Sequence, residues 1–244
     1  MRVPVVRGII GRRILANYRV DPIILAKVLP PPFRPKTING NGIAGICLIR
    51  LKHIKPPYLS GNFGLSSENA AHRMAVEWTV DGQIHEGVYI PRRDTSSRLS
   101  TLIGGRLFPG VHQHARFTVV EREGYYHVGL DSDDGKTHVR VEGRLSSQLP
   151  SASTFRSVSE ASAFFEAGSL GYSATHRPLE YDGLELRSHH WKVEPLEVEK
   201  IESSYFENKQ LFPPGSIVFD CALIMRGIEH EWHGQDTLCY PTAA

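Results

Sequence analysis

The stretch GVYIPRRDTSSRLSTLIGGRLFPG, residues 87 to 110, gathers charge, hydroxyls and glycine into one segment of a 244-residue chain. On a continuing strand Arg92 and Asp94 share one face and Arg93 takes the other, because side chains alternate. Its arginines outnumber Asp94, so the segment carries more positive charge than one carboxylate neutralises. Asp94 can fix an arginine through a bidentate pair and so orient the guanidinium for a second anion. Gly104 and Gly105 allow a tight turn or a close approach of backbone to a ligand. Arg92, Arg98 and Arg106 are therefore candidate anion-binding residues. A structural Arg–Asp pair that pins a strand end is the competing reading.

A second candidate is GLSSENAAHRMAVEW, where Glu68 sits among small residues just before an apolar run, with His72 and Arg73 following. A carboxylate closed over by structure is harder to ionise and can serve as a general acid or base. A solvated turn glutamate is the alternative. His112 and His114 form an HxH pair whose rings would share one strand face, as a metal pair does, but no third ligand accompanies them. His230 and His233 in EHEWHG have helical spacing within a polar segment that reads as solvated. No GxSxG, Walker loop, GxGxxG or HExxH occurs. No metal or cofactor is expected.

Composition narrows the partners. Net charge is +2, which gives no field for nucleic acid or an anionic membrane. Hydrophobic content of 41% and charged content of 22% are those of a globular protein with a real core. Arginine outnumbers lysine 20 to 8, a bias that suits carboxylates and phosphates but also follows from GC-rich coding. The three cysteines, Cys47, Cys221 and Cys239, are widely spaced, and the first two lie in apolar runs as small buried residues. No apolar stretch is long enough to span a membrane, and no signal-peptide pattern opens the chain. A cytoplasmic protein is expected, its partner a small anionic molecule, with homo-oligomerisation left open.

The elements that must position these residues are mostly strands. Residues 42–51, 74–80, 85–90 and 115–123 are short runs rich in β-branched and aromatic residues. Residues 125–145 read as a hairpin turning at Asp133, Asp134 and Gly135. LELRSHHWKVEPLEVEKIE and SIVFDCALIMRG continue the pattern, so an antiparallel sheet closing into a barrel or a sandwich is expected. Two helices interrupt it. One starts at Pro22 behind the N-cap Asp21 and ends at Leu29 before three prolines. The other covers 158–167, with Ser157 and Glu160 at capping-box spacing and Gly168 to end it. With no repeat, linker or βαβ alternation, residues 1–244 read as a single domain.

Two segments together resemble the acetoacetate decarboxylase-like superfamily. NYRVDPIILAKVLPPPF is similar to its N-terminal segment, and GLSSENAAHRMAVEW to the segment bearing its active-site glutamate, which matches Glu68. The nearer likeness is to the YqjF-like branch, a domain of unknown function, through GVYIPRRDTSS and GGRLF. The likeness spans roughly residues 8 to 235. It implies a mainly β fold, an antiparallel β-barrel with a central cavity and a few flanking helices. It also implies an active-site arginine at Arg12 or Arg13. The decarboxylases form a Schiff base through a lysine about forty residues after the glutamate. This chain has no lysine between Lys55 and Lys136, and arginine stays protonated and non-nucleophilic. Two functions follow as expectations. One is an enzyme of lyase type, acting on a small keto or carboxylic acid without a Schiff base, with Glu68 as acid or base and Arg12, Arg92, Arg98 and Arg106 holding the anion. The other is a cavity that binds such a molecule without turning it over.

Overall fold

The apolar runs become strands longer than their sequence signals. The computed structural model describes residues 5–59, 61, 64–103 and 110–240. Its strands are β1 (Val6–Val20), β2 (Arg34–Pro35), β3 (Thr37–Ile38), β4 (Asn41–Lys55), β5 (Leu65–Val80), β6 (Gln83–Thr95) and β7 (His112–Arg122). They continue as β8 (Tyr125–Ser132), β9 (His138–Leu145), β10 (Leu170–Ala174), β11 (Glu180–Ser188), β12 (Glu194–Ser203) and β13 (Ile217–Cys239). The helices are α1 (Pro22–Val28), α2 (Arg98–Ile103) and α3 (Val158–Ala167).

Local chemistry sets both expected helices. The Asp21 carboxylate accepts from the Ile23 N–H at 2.8 Å, Pro22 opens α1, and the chain leaves through prolines. Ser157 Oγ accepts from the Glu160 N–H at 3.1 Å, and the Glu160 carboxylate accepts from the Arg156 N–H at 2.5 Å, one residue further back than the usual box. The expected hairpin is β8–β9, turned through Gly135 at φ +69°. EHEWHG is strand, part of β13, and His230 is only 1% exposed. That corrects the solvated, helix-spaced reading of the segment.

The strands form one mixed sheet in the order β11-β10-β6-β7-β8-β9-β12-β13-β1-β4-β5-β2. Pairings β5–β6 and β11–β13 join this path back on itself. Two pairing circuits result, sharing β13, β1, β4, β5 and β6. The larger runs through β7, β8, β9 and β12, the smaller through β10 and β11. The β6–β7 and β6–β10 pairings are parallel, which corrects the expectation of a wholly antiparallel sheet. The cause is the return path: after β6 the chain runs through α2 to the same end, so β7 sets out in the direction of β6. Gly227, at φ +65°, lies between the part of β13 that pairs β12 and the part that pairs β11.

Both faces of the shared strands are buried. Ile14, Ile46, Leu48 and Met74 join β8 and β9 side chains in one core, while Leu15, Cys47, Ala71 and Leu223 join Phe155 and Phe165 in the other. Ile14, Leu15, Ile46 and Leu48 are each 0% exposed, and burying each stabilises the fold by roughly 1.5–3 kcal/mol. Among the described residues no helix is long and apolar enough to cross a membrane.

Candidate functional site: an arginine-lined cavity

A cavity of about 90 Å³ lies on the smaller-circuit side of the shared strands. Alternation selects its walls. On β5 the odd positions Ser67, Asn69, Ala71 and Arg73 face it, on β4 Cys47, Ile49 and Leu51, on β1 Arg13, and on β6 Val88 and Ile90 and, beyond a register shift between Tyr89 and Arg92 that breaks the alternation, Arg93. Leu184 and Leu186 of β11 and Trp232 of β13 complete an apolar portion. No lysine lines it among the described residues.

Three arginines thus face one hollow, and among the described residues none of them has an ion-pair partner. Arg13 Nε donates to Cys47 Sγ at 3.4 Å, and its guanidinium lies 5.6 Å from the Trp191 ring. Arg73 Nη2 donates to Asn17 Oδ1, its guanidinium sits 4.8 Å from the Phe165 ring, and its Nε has no hydrogen-bond partner. Arg93 Nε donates to Ser173 Oγ at 2.8 Å. Burial pushes Arg73 and Arg93 down to about 10, with the charge of Arg13 adding to the effect on Arg73. Both stay cationic at neutral pH. His112, also in the lining, is pushed down to about 3 by burial and by Arg93, so its imidazole is neutral. Buried cations without anions are costly unless something compensates them.

Of the sequence candidates that are described, Glu68, Arg12, Arg92 and Arg98 stand outside this lining, whereas Asp94, the partner of Arg92, borders it. Glu68 lies on the opposite face of β5 from Ser67 and Asn69. Its carboxylate accepts from Arg12 Nη2 and Arg50 Nε, each at 2.5 Å. Glu121 accepts from the same two arginines at 2.5 and 3.1 Å. The structure therefore joins Glu68 and Arg12, in a charge-balanced ring of two arginines and two glutamates outside the cavity lining. The Glu68 N–H also donates to Ser96 Oγ at 3.0 Å, tying the ring to the end of β6. Arg92 grips Asp94 through Nε at 3.0 Å and Nη2 at 2.7 Å, and reaches Asp134 at 3.0 Å. Asp94 is 0% exposed, and burial holds its carboxyl above the usual range against the opposing pull of Arg92. Arg98 is exposed on α2. Arg106, Gly104 and Gly105 lie outside the described residues.

His112 lines the cavity and His114 does not. His114 Nδ1 meets Asp133 at 2.7 Å, and no group of three or more metal-ligating side chains occurs among the described residues. Sequence reasoning missed Arg73 and Cys47 as site residues, and it set Arg93 on the face opposite Arg92 without giving that face a role. Strand parity was the available signal for Arg73 and Cys47, whereas the register shift in β6 hides it for Arg93.

The fold has known counterparts. An acetoacetate decarboxylase from Legionella pneumophila superposes with TM-score 0.62 at 11% identity, covering 98% of this chain and 88% of that one. An acetoacetate decarboxylase-like enzyme from Sphingomonas wittichii gives 0.56 at 13%, covering 98% and 93%. The enduracididine biosynthesis enzyme MppR, in complex with pyruvate, gives 0.59 at 10%, covering 98% and 91%. No curated protein matches the sequence. The fold is thus mainly β and of acetoacetate decarboxylase-like type. Residues 11–223 match the model of DUF2071, described as an uncharacterized conserved protein, and the chain belongs to that family.

Proposed function

We propose that this protein binds a small carboxylate or carbonyl compound in the cavity walled by Arg13, Arg73 and Arg93. The observation that carries the reading is the set of three guanidiniums facing one hollow with no carboxylate paired to them. The apolar portion formed by Ile49, Leu51, Leu184 and Leu186 suits a short hydrocarbon part beside the anionic head. Structural neighbours that include a decarboxylase and an enzyme in complex with pyruvate support the same ligand class. The Glu68–Arg12–Arg50–Glu121 ring and the Arg92–Asp94 clamp serve as braces for the walls. All three cysteines are free, which supports a cytoplasmic setting.

A lyase-type reaction on such a ligand is the second reading, favoured by the neutral imidazole of His112 within the lining. It proceeds without a lysine imine. Calorimetry with pyruvate and acetoacetate, set against their neutral analogues pyruvamide and acetone, tests the binding step. Saturable binding of the acids alone is expected. Equal behaviour of acids and neutral analogues would remove the reading.

A further inference from the structure

We propose that Cys47 is a nucleophile in this cavity, and that its sulfur adds reversibly to the carbonyl carbon of a 2-oxo acid held by the arginines. This deepens the preceding reading and rests on the cavity holding a carboxylate. Cys47 lines the hollow while being only 7% exposed, so it meets what enters the cavity rather than bulk solvent. Arg13 Nε points at its sulfur from 3.4 Å. A charge on that sulfur also acts on Arg73 and Arg93, so the sulfur sits within the field of all three guanidiniums. Arg73 supplies an independent sign of a ligand. It is 95% buried, given its 5% exposure, it lines the same hollow, and its Nε is unpartnered.

The chemistry balances without a co-reactant. The sulfur forms a bond to the carbonyl carbon, the C=O π pair moves onto oxygen, and the sulfhydryl proton ends on that oxygen as a hemithioketal. Guanidinium N–H groups facing the hollow favour charge developing on the oxygen. An aliphatic lining keeps water from competing. The other thiols lack this setting. Cys221 is 0% exposed, with its thiol pushed up to about 12 by burial. Cys239 is exposed and stands outside the lining.

Paired alkylation of the full chain tests the proposal, with iodoacetate and iodoacetamide read at each cysteine by peptide mass spectrometry. These reagents differ in charge and share a leaving group, and Cys239 provides the reference thiol within the same molecule. Cys47 is expected to prefer iodoacetate by about tenfold relative to Cys239, the effect of one retained charge-assisted contact. Pyruvate should protect it, and Arg73→Met should abolish the preference. With pyruvate labelled with carbon-13 at C2, a tetrahedral carbon signal is expected that Cys47→Ser lacks while still binding pyruvate. If Cys47 resists both reagents while calorimetry shows pyruvate bound, the nucleophile proposal falls and the binding reading stands. Reaction of Cys47 with the same order of preference as Cys239 overturns guidance by the arginines. Absence of pyruvate binding removes both readings.

Discussion

Arg12 and Arg13 are adjacent on β1, and their guanidiniums lie on opposite sides of it. Arg12 closes an ion-pair ring with Glu68 at 2.5 Å, whereas Arg13 faces the cavity and donates to Cys47 at 3.4 Å. Substitutions at the two positions should therefore separate stability from binding. Arg12 is 1% exposed, and Arg12→Met leaves Glu68 and Glu121 sharing Arg50 alone. A loss of roughly 2 kcal/mol is expected in urea denaturation, below the full cost of a broken buried pair because Arg50 remains. Arg13→Met should instead weaken pyruvate binding with a smaller change in the unfolding midpoint.

Arg73→Met and Arg93→Met each remove one guanidinium from the cavity while keeping much of the stem volume. Each should weaken pyruvate affinity by about tenfold or more in calorimetry, since a hydrogen bond to a charged group contributes about 1.5–3 kcal/mol. Stability should hold or rise in both variants, because a desolvated cation without an anion has been removed. A fall in stability with unchanged affinity would assign both arginines to the scaffold.

Arg92→Met is expected to behave in the opposite way. Asp94 is 0% exposed and loses its bidentate partner, so destabilisation of roughly 3–5 kcal/mol follows from an uncompensated buried charge. Pyruvate affinity of the folded variant should stay within about twofold of the parent, well under the 1.4 kcal/mol of a tenfold change. Arg92→Met combined with Asp94→Asn should recover part of the lost stability, a test that a double-mutant cycle reads directly.

Affinity should depend on pH at the alkaline end. Carboxylate binding needs protonated guanidiniums, and Arg73 and Arg93 are held down to about 10 by burial. Binding should be steady from neutral pH to about 9 and weaken as pH rises through 10, where an ordinary arginine would still be charged. By linkage, bound pyruvate should move that weakening to higher pH. A flat profile to pH 11 would show that neither guanidinium gives up its proton in that range.

Stability should fall in acid through buried histidines. His72 and His112 are pushed down to about 3 and His230 to about 4, burial being the leading cause for each. Their folded values lie below the unfolded 6.5, so the unfolded state binds more protons in between. Their contribution is fully present above pH 6.5 and is lost as pH falls towards 3–4. His72→Gln, at a site packed 4.9 Å from Tyr205 and bonded to Ser203, should flatten part of the decline of melting temperature between pH 6.5 and 4. A slope identical to the parent would acquit His72.

Borohydride reduction in the presence of acetoacetate should leave the intact mass unchanged, because no lysine lines the cavity among the described residues. An adduct traced to Lys52 or Lys192 would show that an amine reaches the ligand from elsewhere.

Local signals were legible in the sequence. Asp21–Pro22 and Ser157 with Glu160 fix helix starts through bonds within four residues, and Gly135 marks the hairpin. The parallel β6–β10 pairing was hidden because it joins segments far apart in the chain, and the β6–β7 pairing because no βαβ pattern marks it. The site was half legible. Alternation puts Glu68 on one face and Arg73 on the other, and separates Arg92 from Arg93. Which face holds the cavity was unreadable, since both faces of β5 and β6 are buried and neither is marked by exposure.

The join between β1 and β13 sets the order in which the molecule can be made. Every pairing circuit among the described residues passes through β13, which is made after the other described strands and lies directly between β12 and β1. While a ribosome is still translating it, β1 keeps one unpaired edge, and the cavity and the core of the larger circuit stay open to water. Hairpins such as β8–β9 can form early, because their contacts are local. The arginine-lined space cannot close until β13 has been made, so the earlier strands are exposed to sticky encounters until then. Pairings this distant in sequence make for slow, topology-limited refolding.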